Sequence, residues 1–280
     1  MNFAEPDAPL PPDWPAPGEQ STGPVRQNAE LRPDLRVPWG WWDIFLFIGF
    51  AMVSSVVLLL LVAHAASAMF HVPLVAMQDG STLKSGVLIV NQTLWSAVAL
   101  AYLFAVVRLR TPEPFWRSIG WRSFPIGVSP LRFLSGGAAL AIGISIAERF
   151  TNQNVDLPIE KLFDSRVSLF LLMSMGVLVA PLVEETIFRG FLFPVIARQF
   201  GVPAGILTTG ILFGLLHAAQ LWGGWGQIAL LVCVGIVLTW VRAGTRTVAA
   251  SYLVHLGYNS LLFFGSVLAT GGFKHLPPHG

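Results

Sequence analysis

Glu184-Glu185-Thr186-Ile187-Phe188-Arg189-Gly190 follows directly on an apolar run, Val167 to Val183, that is long enough to enter a lipid bilayer. A charge at bilayer depth costs from about three to over ten kcal/mol unless it is paired or hydrated. Three charges in six residues at such a place need partners, and those partners have to come from other apolar segments of the chain.

The composition agrees that lipid is the solvent. Only 11% of the 280 residues are charged and 54% are hydrophobic, against roughly 25% charged in a typical soluble domain. So few charges cannot clothe a water-facing surface. The expected class is all-α, a polytopic membrane bundle, with no nucleic acid as partner. The single cysteine, Cys233, excludes an internal disulfide or a cysteine-based metal cluster. The first twenty residues have neither a basic n-region nor an apolar h-region, so no cleaved signal peptide is expected.

Residues 1–38 are crowded with proline and scattered charge and read as a disordered cytoplasmic tail. Trp39, Trp41 and Trp42 then mark a membrane–water boundary. Spans are expected near 42–63, 87–107 and 133–147, the third with a small-residue face at Gly136, Gly137 and Gly143. The connection 108–132 carries five arginines and four prolines, and its Phe115, Trp116, Ile119 and Trp121 suit a piece lying in the interface. These elements make up residues 39–166. Residues 167–270 hold four further spans, near 167–198, 203–220, 227–240 and 248–270, and 271–280 form a tail. The first of these is too long to stand upright and is expected to tilt, or to bend near Pro181 and Pro194. Seven spans result, with an eighth membrane-associated helix near 112–124 as the alternative count. With the N-terminus inside, 12 of the 17 basic residues fall on the inner side, as the positive-inside rule requires.

Helical spacing divides the opening motif. Glu185 and Arg189 are four apart and lie on one helix face, the acid toward the N-terminus where such pairs are strongest. Glu184 is rotated by about 100° and has Phe188 as its i+4 neighbour. Glu185 is thus neutralised locally, and Glu184 is the acid left for general-base work. Two later pairs also keep i,i+4 spacing: Phe213 with His217, and His255 with Asn259. An imidazole can serve as base, acid or metal ligand, and an amide beside one is suited to hold a substrate carbonyl oxygen. The plainer reading of His255 and Asn259 is an interhelical hydrogen-bonding pair, and of Phe213 core packing. Asn91, Gln92, Thr208, Thr209 and Gln220 read as packing or cavity lining. Together, two acids, two histidines and an asparagine on three spans are the parts needed to activate water and stabilise an oxyanion.

In order and spacing, Glu184-Glu185-Thr-Ile-Phe-Arg189, Phe213-Gly-Leu-Leu-His217 and His255-Leu-Gly-Tyr-Asn259 resemble the three motifs of the CPBP family of intramembrane proteases. That family includes type II CAAX prenyl endopeptidases and bacteriocin-processing and self-immunity proteins. The resemblance implies an endopeptidase acting on a membrane-associated protein or peptide in a bacterial cell membrane. It implies that Glu184 and His217 activate the water, that His255 and Asn259 stabilise the oxyanion, and that Glu185 and Arg189 orient the site. No His-Glu-x-x-His motif is present. The cofactor is therefore none, with direct glutamate-type chemistry, or zinc held by Glu184, His217 and His255 with one position open.

Three rival readings follow from the same residues: a non-enzymatic scaffold or immunity protein, a proton-coupled transporter, and a bis-histidine haem site. Counting residues along the spans, His217 is expected about 7 Å beyond the middle of its helix, with Glu184 nearer the cytoplasmic side.

Overall fold

The computed structural model describes residues 32–74, 82–124, 127–151, 166–269 and 271. Most of the expected N-terminal tail, the polar loop near residue 80, the loop 152–165 and the tail beyond 271 lie outside the described residues. Among the described residues all regular structure is helical. Seven helices have 15 residues or more: α1 (Trp41–Phe70), α2 (Thr82–Arg110), α4 (Leu131–Glu148), α5 (Arg166–Glu185), α7 (Val202–Leu216), α8 (Trp225–Thr245) and α9 (Val248–Ala269). Two short ones, α3 (Phe115–Ser118) and α6 (Phe193–Phe200), complete the set.

Four of the long helices are apolar and long enough to cross a membrane. α1 is the most apolar: at about 1.5 Å per residue its 30 residues span some 45 Å, and Trp42, Val53, Val56 and Leu61 are largely exposed along it. An outward apolar face of that extent requires lipid. The chain is a helical membrane bundle.

Without a hydrophobic drive between helices in lipid, close backbone approach holds such a bundle together. α4 packs on α9 through Gly137 and Gly257: a β-carbon on the first would strike the Val254 carbonyl oxygen, and on the second the Leu134 carbonyl oxygen. Of the three glycines expected to form a packing face, only Gly137 meets a neighbour; Gly136 and Gly143 have open space beside them. α7 packs on α8 at Gly210 and Gly235, where a β-carbon on Gly235 would stand 2.6 Å from the Gly210 oxygen.

The expected bend after α5 takes a specific form. Thr186–Leu192 is a π-helix, closed by an i→i+5 bond in which Phe193 N–H donates to the Phe188 carbonyl. Pro194 follows in the first turn of α6, where it has no N–H to return to the preceding turn. Such widened turns concentrate at functional sites, and this one carries the motif arginine.

Three expectations need correction at the end of the bundle where α1 starts. The folded part starts before residue 38: Pro33–Leu35 forms a 3-10 turn in which Asp34 and Leu35 are buried. Asp34 can be buried because its Oδ2 accepts from Arg242 of α8 at 2.9 Å. Trp39 is a core residue rather than an interfacial one. Its Nε1 donates to the Phe191 carbonyl at 2.9 Å and its indole stacks on the Phe191 ring. The 108–132 connection does not simply lie flat in an interface either. Phe115 and Ile119 enter the core, and Thr247 both donates to and accepts from the backbone of Arg122.

Asp43 joins Arg110 at 2.8 Å, and Arg198 donates to the carbonyls of Val37 and Trp39. With the Asp34–Arg242 pair, these bonds gather the start of α1 and the ends of α2, α6 and α8 at one end of the bundle.

Candidate active site

The three motifs converge. Glu185 is fully buried and its Oε1 accepts two hydrogen bonds, from Arg189 Nη1 at 2.9 Å and from His255 Nδ1 at 3.0 Å. Arg189, also fully buried, spends its other donors on α8: Nη2 to the Gly235 carbonyl at 2.9 Å and Nε to Thr239 Oγ1 at 3.3 Å. Its guanidinium lies over the Phe213 ring, 4.6 Å from the centroid. The pair expected from i,i+4 spacing thus exists, and a third helix locks it.

Glu184 is placed differently. Its side chain is 21% exposed where that of Glu185 is at 0%. Its Oε1 lies 3.8 Å from His217 Nε2 and its Oε2 lies 3.9 Å from His255 Nε2. Those gaps are too long for direct hydrogen bonds and are of the size a bridging water spans.

The ring nitrogens can be assigned from their partners. His217 Nδ1 is 2.9 Å from the Phe213 carbonyl, which can only accept, so Nδ1 carries the hydrogen. His255 Nδ1 likewise donates to the Glu185 carboxylate. Both histidines therefore turn Nε2 toward Glu184. Phe213 is more than filler: it is 1% exposed and touches Arg189, His217 and His255, with ring centroids 5.0 and 5.8 Å from the two imidazoles.

Asn259 reaches the same region, and its Nδ2 donates to the Gly176 carbonyl of α5 at 2.7 Å. That is the interhelical bond of the plainer reading. The carboxamide has a second N–H beyond this one.

Counting along the helices explains why Glu184 and His217 meet despite the expected offset in depth. Glu184 precedes the end of α6 by 16 residues and His217 follows the start of α7 by 15. The long helix, carried through its π turn, brings them to one level. His217 caps the C-terminus of α7, where the chain leaves the helix.

Histidine nitrogens backed by an acceptor on the far side are typical of metal-bound imidazoles, so the donor chemistry resembles a zinc site. The spacing does not: among the described residues no three of His, Cys, Asp or Glu gather closely enough to hold a metal ion.

Two cavities meet at this cluster. A larger one of about 420 Å³ opens between α1, α2, α5 and α7, and a second of about 330 Å³ lies between α2, α5, α7, α8 and α9. Glu184 and His217 line both, while His255 and Asn259 line only the second. Sequence reasoning missed Gly235 and Thr239, which anchor Arg189. The available signal was a threonine four residues after a glycine inside an otherwise apolar span.

A carboxylate facing two imidazoles, beside a second carboxylate neutralised by arginine inside a membrane bundle, is a constellation suited to hydrolysis. Residues 166–261, which hold all three motifs, match the family model of type II CAAX prenyl endopeptidase Rce1-like proteins. This similarity covers about a third of the chain and agrees with the resemblance drawn from its residues. No curated protein and no solved structure matches the chain.

Proposed function

We propose that the protein is an intramembrane endopeptidase that hydrolyses a peptide bond in a membrane-associated protein or peptide. The observation that carries this reading is the position of the Glu184 carboxylate, within 4 Å of two imidazole Nε2 atoms while Glu185 is neutralised beside it. A water held between Glu184 and His217 gives up a proton to that pair as its oxygen attacks the substrate carbonyl carbon. The carbonyl π electrons move onto oxygen. The resulting oxyanion is met by His255 and by the Asn259 amide. Collapse of the intermediate breaks the C–N bond, and the proton held by Glu184 and His217 passes to the departing amine. Glu185, Arg189 and Phe213 hold the two imidazoles at their angles. Every step uses groups of this chain, and none is routed through a metal.

The arginine-rich inner end of the bundle supports an N-terminus on the cytoplasmic side of a bacterial cell membrane. The test is Glu184→Gln, which keeps the shape and removes the base. Purified full-length protein in proteoliposomes should lose about 10²-fold or more in cleavage of membrane peptides, followed by mass spectrometry. Wild-type cleavage by the variant would defeat the proposal.

A further inference from the structure

Five residues line both cavities: Gln92, Ala180, Glu184, His217 and Gln220. Two are the acid and imidazole discussed above. Gln92 on α2 and Gln220 in the turn after α7 are polar residues from separate elements that arrive at the same junction. Neither carboxamide has a hydrogen-bond partner among the described residues. Both side chains are exposed, so their carboxamides are open to a partner that enters the cavities they share with Glu184 and His217.

The chemistry of that partner follows from what a substrate must present. A peptide is cut in extended form, because a helix hides its carbonyls behind its own hydrogen bonds. An extended strand away from water exposes N–H and C=O groups, each costing several kcal/mol if unpaired. A carboxamide offers both a donor and an acceptor, the complement of one peptide unit. The two cavities also differ in kind. The larger is walled by Phe47, Ala51, Met52, Trp95, Leu212 and Leu216, and the smaller by His255, Tyr258 and Asn259 among apolar neighbours.

We propose that Gln92 and Gln220 bind the backbone of an extended substrate peptide laid across Glu184 and His217, with a bulky apolar side chain beside the scissile bond seated in the larger cavity. This rests on the endopeptidase reading and adds to it a backbone-binding pair and a preference for residue size.

The experiment uses full-length protein in proteoliposomes and a library of internally quenched apolar decapeptides, with cleavage sites read by mass spectrometry. Gln92→Leu and Gln220→Leu should each lower kcat/KM about tenfold, mainly through KM. Replacing one backbone amide near the cut by an ester should slow the wild type severalfold and should not slow the matching leucine variant further. A merely structural role for the glutamines would leave that ester penalty intact. Ala51→Phe, with Met52→Trp as a second way to fill the cavity, should shift the preferred flanking residue from Phe or Leu toward Ala by about tenfold.

An unchanged ester penalty together with an unchanged size preference overturns the proposal. Retained cleavage in Glu184→Gln strikes the endopeptidase reading instead. If the wild type cuts none of the library, photocrosslinking decides. A benzoylphenylalanine peptide should label α2 and the end of α7 in wild-type protein and less so in Gln92→Leu, and labelling absent from both walls refutes the proposal.

Discussion

Arg189→Met tests whether the buried cluster is organised as its geometry implies. The guanidinium is completely buried and makes three polar contacts, to Glu185, Gly235 and Thr239, besides lying over Phe213. Methionine is shorter but close to arginine in volume and fills apolar space, so the loss is chiefly electrostatic. Summing the contacts, at about 1.5–3 kcal/mol for each hydrogen bond to a charged group and about 2 for the stacked cation, overstates the effect, since such terms are not additive. The dominant cost is the Glu185 carboxylate left at 0% exposure with only His255 facing it. Breaking a buried ion pair from one side costs about 3–5 kcal/mol, and that is the expected loss of unfolding free energy for purified protein in detergent.

The double variant Glu185→Gln, Arg189→Met should recover about 1–3 kcal/mol of this, because a carboxamide oxygen still accepts from His255 and no charge is stranded. Wild-type stability in Arg189→Met, or a double variant as unstable as the sum of the single changes, would refute the reasoning.

Other substitutions probe the scaffold around the cluster. A β-carbon at Gly190 would stand 2.9 Å from the Ile119 carbonyl oxygen, so Gly190→Ala should destabilise by about 1–3 kcal/mol; an unchanged thermal midpoint would show that the contact yields. The two acid–arginine pairs at the end of the bundle where α1 starts should differ sharply. Asp34 and Arg242 are each 1% exposed, and Asp34→Asn should cost about 3 kcal/mol. Arg110 is 51% exposed, and Asp43→Asn should cost about 1 kcal/mol or less. Parallel unfolding curves with equal losses would contradict that ranking.

The bundle was legible because lipid imposes long apolar helices and leaves few alternatives. The polar cluster was legible because charge inside such helices is expensive, so each retained polar residue stood out. What stayed hidden depended on packing between distant segments. Trp39 looks like any boundary tryptophan until Phe191 is seen to lie against it. Asp34 sits among prolines and shows its function only beside Arg242, 208 positions away. The π turn could not be foreseen either: helical periodicity places Glu185 and Arg189 on one face whether or not the turn beneath them has widened. Phe213 was read as packing, and its apolar character gave no hint that it would touch an arginine and both histidines.

Asn259 was left between two roles, and the structure explains why they need not compete. Its amide donates one N–H to Gly176, tying α9 to α5, while its side chain still lines the smaller cavity beside His255. One N–H suffices for the tie and leaves the other for an oxyanion. Asn259→Leu should therefore act twice. Stability should fall by about 1 kcal/mol, the net worth of one hydrogen bond. Cleavage per folded molecule should fall by about 10²-fold, the scale of losing one oxyanion donor. The second effect separates the roles, because a residue that only joined helices would leave turnover of the folded fraction unchanged. Measuring kcat against unfolding free energy for this variant decides the matter, and full activity in the folded fraction would remove Asn259 from the chemistry while leaving Glu184 and His217 in place.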